Sequence, residues 1–278
     1  MNLTVYLHPE RLLIASWALD ENVPVLHGYR ELHPDAGIEL QDYAVDSVHI
    51  VLHSSDVLIH WFPIDANEDL DCRRVFEASA WFGHPELYPL DESAFTTGVY
   101  SSSAMRALVY AQASTLKRRD RMIGASCMTG VDLDLDIQAA LASTSARRSP
   151  WLLLGRRSNT WHAIIVGPEH QATAHAMFPN DGTLDHASMV YELHRTMEER
   201  YGSSLDALML FGDVLTSDDV TLLRDDVNFA DIKVARLQPF KRIRSLLDET
   251  TEQRLLRRAH VVAPIAGTML AGAYTPID

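Results

Sequence analysis

The feature that most constrains this 278-residue chain is that it begins the same way twice. Leu3–Leu7, Leu12–Ala18 and Val23–Leu32 are short runs rich in β-branched, aromatic and aliphatic residues, separated by His8–Arg11 and Leu19–Asn22. Such runs joined by short polar turns predict an antiparallel three-strand meander. Trp151–Leu154, Thr160–Val166 and Ala172–Phe178 repeat the arrangement, with Gly155–Ser158 and Gly167–Glu169 as their turns. Each meander is followed by a mixture of helices and strands. After the first, strands are predicted at 48–53, 57–62, 96–101, 105–111 and 126–132, with helices at 69–82, 114–123 and 134–142. After the second come a helix at 184–201, a strand at 205–211, a helix at 217–225 and a strand at 232–237. A mostly helical tail, 252–273, is broken by Pro264. The polar stretch Ser143–Pro150, closed by proline, divides the halves. Two α/β lobes with mixed sheets are therefore expected, 1–148 and 149–278, built on one topology without shared sequence.

Composition narrows the class of function. With 47% apolar and 22% charged residues the chain reads as an ordinary folded one. A net charge of −14 argues against nucleic acid and anionic lipid as partners, because both require a cationic field. Cys72 and Cys127 stand 55 positions apart and form neither a disulfide framework nor a metal knuckle. Met1–His8 lacks the pattern of a signal peptide, and the weakly polar tract His260–Tyr274 is shorter than a spanning helix and contains Pro264. A cytoplasmic protein is expected, reaching a membrane only through a partner. The acidity is concentrated in Asp35–Glu92, where thirteen carboxylates face only Arg73 and Arg74.

No nucleophile elbow, P-loop or dinucleotide fingerprint is present. His49, His53 and His60 fall on or near adjacent strands, but without HExxH spacing they read as half-buried sheet residues, and no metal is expected. Asp132, Asp134 and Asp136 alternate at a strand end. A two-metal hydrolase would draw its carboxylates from separate elements, so Asp134 or Asp136 is expected instead to cap the helix that follows. Gly155, Arg156, Arg157 and Ser158 combine two guanidiniums with a glycine turn and are the candidate residual anion site.

Two facing β-β-β-α-β-α-β units describe a duplicated ribonuclease-H-like, actin-type fold. Three segments carry a resemblance to the actin-like ATPase superfamily and, within it, to the PilM-like branch. Arg106–Leu116, a basic helix and then Gly130–Asp136 resemble the end of that family's first lobe. Trp151–Thr160, with the strand ending Ala176–Pro179, resembles its second phosphate loop and the meander after it. Gln238–Ile243 and then Val262–Gly272 resemble its C-terminal signature. The resemblance implies two lobes around a nucleotide cleft, and a cytoplasmic scaffold of pilus or secretion machines.

The departures from the family's nucleotide elements have physical consequences. Its glycine-rich first hairpin corresponds here to His8–Arg11, where Pro9 supplies no N–H and Glu10 repels phosphate. Leu153 stands where the family carries a magnesium-holding aspartate, and Phe211–Val214 keeps one glycine of an adjacent pair. The expectation is a pseudo-ATPase scaffold with no cofactor, ATP and magnesium being disfavoured. Two other readings are a true nucleotide-binding ATPase and a metal-dependent ribonuclease-H-type hydrolase. The acidic segment, about 35–92, falls where such folds insert a variable subdomain. Its aromatics Trp61, Phe62, Trp81, Phe82 and Tyr88 are the candidate partner-binding residues. A groove of aromatics among carboxylates suits a basic peptide, such as the cytoplasmic end of an inner-membrane protein.

Overall fold

The computed structural model describes residues 1–38, 45–53, 57–63, 105–111, 131–135, 139–141, 143–144, 150–156, 160–167, 172–179, 191, 195, 199, 205–226 and 229–274. In the strands at 57–63, 105–111, 131–135 and 172–179 the description is of backbone course. The meanders form as the alternation demands. β1 (Asn2–His8), β2 (Arg11–Asp20) and β3 (Val23–Leu32) pair antiparallel, with His8 opposite Arg11 across a two-residue turn. The second turn puts Glu21 and Asn22 at positive φ, 50° and 64°, the backbone that a two-residue hairpin needs. β4 (Ser47–Leu52) then adds parallel to β1, and β7 (Val131–Leu135) parallel to β4. Between them β5 (Val57–Pro63) and β6 (Met105–Ala111) form a separate two-stranded sheet.

The second half repeats the order. β8 (Trp151–Arg156), β9 (Thr160–Val166) and β10 (Ala172–Pro179) are antiparallel; β11 (Ala207–Gly212) is parallel to β8, and β12 (Lys233–Arg236) to β11. The sheets run β3-β2-β1-β4-β7 and β10-β9-β8-β11-β12, the same order of five strands. This is the duplicated ribonuclease-H-like architecture expected from the sequence. A short sixth strand, β13 (Arg244–Ser245), adds parallel to β3 at the edge of the first sheet.

Both faces of β1, β2 and β8 are buried, which explains why runs such as Leu12–Ala15 and Trp151–Leu154 are almost wholly apolar. Leu3, Val5, Leu7 and Ile14 of the first sheet share one core with Trp151, Leu153, Ile164 and Phe211 of the second. Leu153 is therefore a fully buried core residue. The outer face of the second sheet packs Leu152, Leu154, Trp161 and Leu208 beneath α1 (Ser217–Asp225).

The outer face of the first sheet is covered by the chain's last described residues. After Leu237 bonds back to Leu210, a 3-10 turn (Pro239–Arg242) leads to β13, α2 (Glu249–Arg257) and α3 (Ala263–Tyr274). Pro264 opens α3 in its first turn, where a missing N–H costs nothing. Ile265, Ala266, Met269 and Leu270 pack on Tyr6, Leu13, Ala15 and Trp17. A buried polar chain fixes the register of this contact. Trp17 Nε1 donates to Thr4 Oγ1 at 3.0 Å, Thr4 lies 2.9 Å from Thr268 Oγ1, and Thr268 donates to the Ile265 carbonyl at 2.8 Å.

One expectation needs correction. The strand near 126–132 is β7 at Val131–Leu135, so Asp132 and Asp134 pair with His49 and Val51 inside the sheet. Asp134 therefore does not cap the following helix. The alternating Val-Asp-Leu-Asp-Leu run satisfies a period of two better than a helix start. Asp136 lies outside the described residues.

Gly267 marks how closely α3 approaches the helical residues 139–141. A Cβ there would lie 1.5 Å from the Ala139 carbonyl oxygen. We expect Gly267→Ala to destabilise the fold by about 3 kcal/mol or more in urea titration, since neither backbone can yield. Gly37→Ala, with nothing within 4 Å, should be close to neutral.

Candidate functional site

Two pairs of topologically equivalent positions supply the candidate residues, the carboxyl ends of β1 and β8 and those of β4 and β11. His8 is the last residue of β1 and Arg156 the last of β8; His53 directly follows β4 and Asp213 directly follows β11. In open parallel sheets the carboxyl ends of strands are where ligands are held. His8 is fully buried and His53 is 2% exposed. His8 Nε2 lies 3.2 Å from Asp213 Oδ2, a direct contact between the two lobes. The backbone N–H of Glu10 donates to His8 Nδ1 at 3.2 Å, which leaves the ring proton on Nε2, facing Asp213. His53 packs edge-on against His8, with ring centroids 5.0 Å apart, and stacks on Tyr6. The ligand-type atoms of His8, His53 and Asp213 all lie within 4.8 Å of one another.

Backbone geometry aims Asp213 at the seam. Gly212 has φ of +127°, and a Cβ there would lie 2.1 Å from the Arg156 carbonyl oxygen, so only glycine fits. Its N–H donates to the His260 carbonyl at 3.0 Å, which ties the end of β11 to the segment joining α2 and α3. The His260 ring is buried near Arg236 and Arg258. Burial first, then those two charges, push its pKa down to about 4, against a hydrogen bond to Leu215 that raises it.

The expected anion residues occupy mixed settings. Gly155 lies inside β8, and a Cβ there would meet the Phe211 ring at 2.7 Å, so packing already requires glycine. Arg156 pairs with Asp219 in the first turn of α1 and sits 5.3 Å over the Trp161 ring. Asp219 also accepts from the Thr216 backbone at 2.7 Å and from its hydroxyl at 2.6 Å, completing a capping box. Burial alone would raise the Asp219 pKa; the Thr216 bonds and the Arg156 charge lower it on balance. An anion at Arg156 would compete with this carboxylate. Arg157 and Ser158 lie outside the described residues.

The first hairpin is held open to solvent at its tip and anchored behind it. Pro9 and Glu10 are exposed. Arg258 donates to Glu31 at 2.7 and 2.9 Å, and Tyr29 donates to the same carboxylate at 3.0 Å. Although burial raises the Glu31 pKa, these bonds and the charges of Arg258 and Arg11 lower it. Burial and the Glu31 charge raise the Tyr29 pKa.

Of the expected partner-binding aromatics, Trp61 and Phe62 lie on β5, opposite Ala107 and Arg106 of β6. Trp81, Phe82 and Tyr88 lie outside the described residues, as does most of the 35–92 segment beyond β4 and β5. Of the three sheet histidines, His49 stands beside Trp17 at 5.7 Å between ring centroids, whereas His53 joins His8 and Asp213. Sequence reasoning did not bring those three together. The signal that could have found them is that each ends or follows a strand of the central parallel set.

No protein-family model matches the sequence, and no curated protein matches it significantly. Solved structures do resemble the fold. One, described as a PilM–PilN type IV pilus biogenesis complex, aligns over 99% of each chain with a TM-score of 0.64 at 12% identity. Another, from Bacteroides thetaiotaomicron and described as a protein with actin-like ATPase fold and unknown function, covers 92% of this chain and 95% of its own. Its TM-score is 0.51 at 11% identity. The chain thus has the actin-like ATPase fold, two lobes of duplicated topology around a cleft. No described helix is long and apolar enough to cross a membrane.

Two measurements test this geometry. Gly212→Ala is expected to lower stability by about 3 kcal/mol, because it combines a strained φ with backbone overlap. For His260 the unfolded imidazole titrates near 6.5 and the folded one near 4. Stability is therefore complete above pH 6.5, falls as the unfolded chain gains a proton, and stops falling below pH 4. Between pH 7 and 4 this amounts to about 2–3 kcal/mol. His260→Gln should flatten that part of the urea-unfolding pH profile relative to wild type.

Proposed function

We propose that the chain is a non-catalytic, actin-like scaffold that binds a protein partner in a pilus or secretion assembly. The observation that carries this reading is the His8–Asp213 contact between the two halves of the chain. In ATP-binding members of the family the first hairpin presents N–H groups to phosphate. Here its two turn residues are Pro9 and Glu10, and the one N–H they provide, that of Glu10, is spent on His8. The apolar burial of Leu153 also supports the reading, because that site offers no oxygen for a hydrated magnesium ion. The likeness to a structure named for a PilM–PilN complex supports a protein partner of that kind.

A ligand that binds only the folded state stabilises it by about 2.7 kcal/mol at 100 times its Kd. Millimolar Mg-ATP is expected to leave the thermal unfolding midpoint unchanged. Saturable stabilisation that is lost on altering the first hairpin would instead establish the ATPase reading.

The partner we propose is a basic cytoplasmic peptide of an inner-membrane protein, held by the acidic segment around Trp61, Phe62, Trp81, Phe82 and Tyr88. Its carboxylates would steer the peptide and an aromatic would anchor an apolar side chain. Binding of such a peptide, followed by fluorescence anisotropy, should weaken steeply with salt. It should also weaken about tenfold or more in a folded Trp61→Ala, Trp81→Ala variant. Equal affinity in that variant, or loss only on changing Lys241 and Arg242, would move the interface to the C-terminal part.

A further inference from the structure

We propose that His8, His53 and Asp213 form a binding site for a divalent transition-metal ion, of the zinc type, that clamps the two lobes together. The inference is independent of the scaffold reading: it concerns what the seam holds, whatever the partner. Three observations carry it.

The first is convergence. The residues come from three separated elements and both lobes, yet their ligand-type atoms lie within 4.8 Å of one another. Four-coordinate zinc, with bonds of about 2.0–2.2 Å to nitrogen and oxygen, places neighbouring ligand atoms about 3.3 Å apart. The His8 Nε2 to Asp213 Oδ2 distance of 3.2 Å already has that value. Small rotations of the His53 ring supply the third ligand.

The second is ligand chemistry. Two imidazoles and one carboxylate suit zinc or cobalt and are too nitrogen-rich for magnesium or calcium. With three protein ligands, the fourth position is left for water. The third is enclosure. His8 and His53 are buried, and the Asp213 side chain is only 12% exposed. Tyr6 holds both rings, stacked on His53 at 6.0 Å between centroids and edge-on to His8 at 5.8 Å. Gly212 and the His260 carbonyl fix the backbone that delivers Asp213.

Loading has a defined proton balance. The metal takes the Nε2 lone pair of His8, and the ring proton moves from Nε2 to Nδ1. The Glu10 N–H contact at 3.2 Å then opens, a small cost beside three metal bonds.

The test uses the full chain, stripped with a chelator and titrated with cobalt(II) and then zinc(II). One equivalent of cobalt is expected to bind with the strong visible absorption of four-coordinate geometry, and zinc should displace it. Changing even outer-shell partners of a metal costs about 10–100-fold, so His8→Gln, His53→Gln and Asp213→Asn should each weaken binding at least about 100-fold. His27→Ala, at an exposed histidine, should not. Absence of the four-coordinate spectrum in folded wild type would overturn the proposal. So would equal affinity in wild type and in those of the three ligand variants that keep the native circular dichroism. The wild-type spectrum decides the question even if no variant folds.

Discussion

Everything in this fold rests on the return of the last forty or so residues to the sheet that begins the chain. Tyr6, Leu13, Ala15 and Trp17 point away from the inter-sheet core, and α3 covers them. The contact is not merely apolar. Thr4 and Thr268, 264 positions apart, meet in a buried hydrogen bond, and Gly267 lets the helix backbone approach residue 139 closely. Hydroxyls placed this deep must find partners, so they admit one seating of the helix and penalise its neighbours. The same segment supplies the His260 carbonyl that holds Gly212, and through it Asp213. The covering of the first sheet and the shape of the seam are therefore one event.

Charges at and around the seam are neutralised within the protein. Arg156 faces Asp219, and Glu31 is held by Arg258 and Tyr29 with Arg11 nearby; Asp213 is engaged by a hydrogen bond with His8. Removing one member of such a half-buried pair leaves the other without compensation, which costs more than the pair contributed. A polyphosphate-binding loop keeps its backbone donors available for the incoming anion. In this chain the carboxyl ends of β1, β8 and β11 are already engaged with one another or with α1.

Much of the fold could be read from the sequence, because the informative signals are local. The meanders declare themselves through apolar runs and short polar turns, and Glu21-Asn22 forms the turn that its polar character suggested. Pro264 marks the start of α3 as well as the break before it. β7 was harder: Val131–Leu135 sits beside a helix start, and aspartates at alternate positions suit an edge strand and a cap equally well. The candidate site was less legible. Gly155 and Arg156 looked like a phosphate turn because a glycine before two arginines has that composition. Only the fold shows that Phe211 and Asp219 occupy their surroundings. His8, His53 and Asp213 have no common motif, since they are joined by strand order rather than by spacing.

The central claim is that His8 and Asp213 interact directly and hold the two lobes closed. A double-mutant cycle tests it most directly. Wild type, His8→Ala, Asp213→Ala and the double variant would be unfolded in urea with a chelator present to remove metal. The account predicts a coupling energy of about 1 kcal/mol or more, the range for a part-buried hydrogen bond between neighbours. Strict additivity of the two single variants, with all four proteins folded, would contradict it.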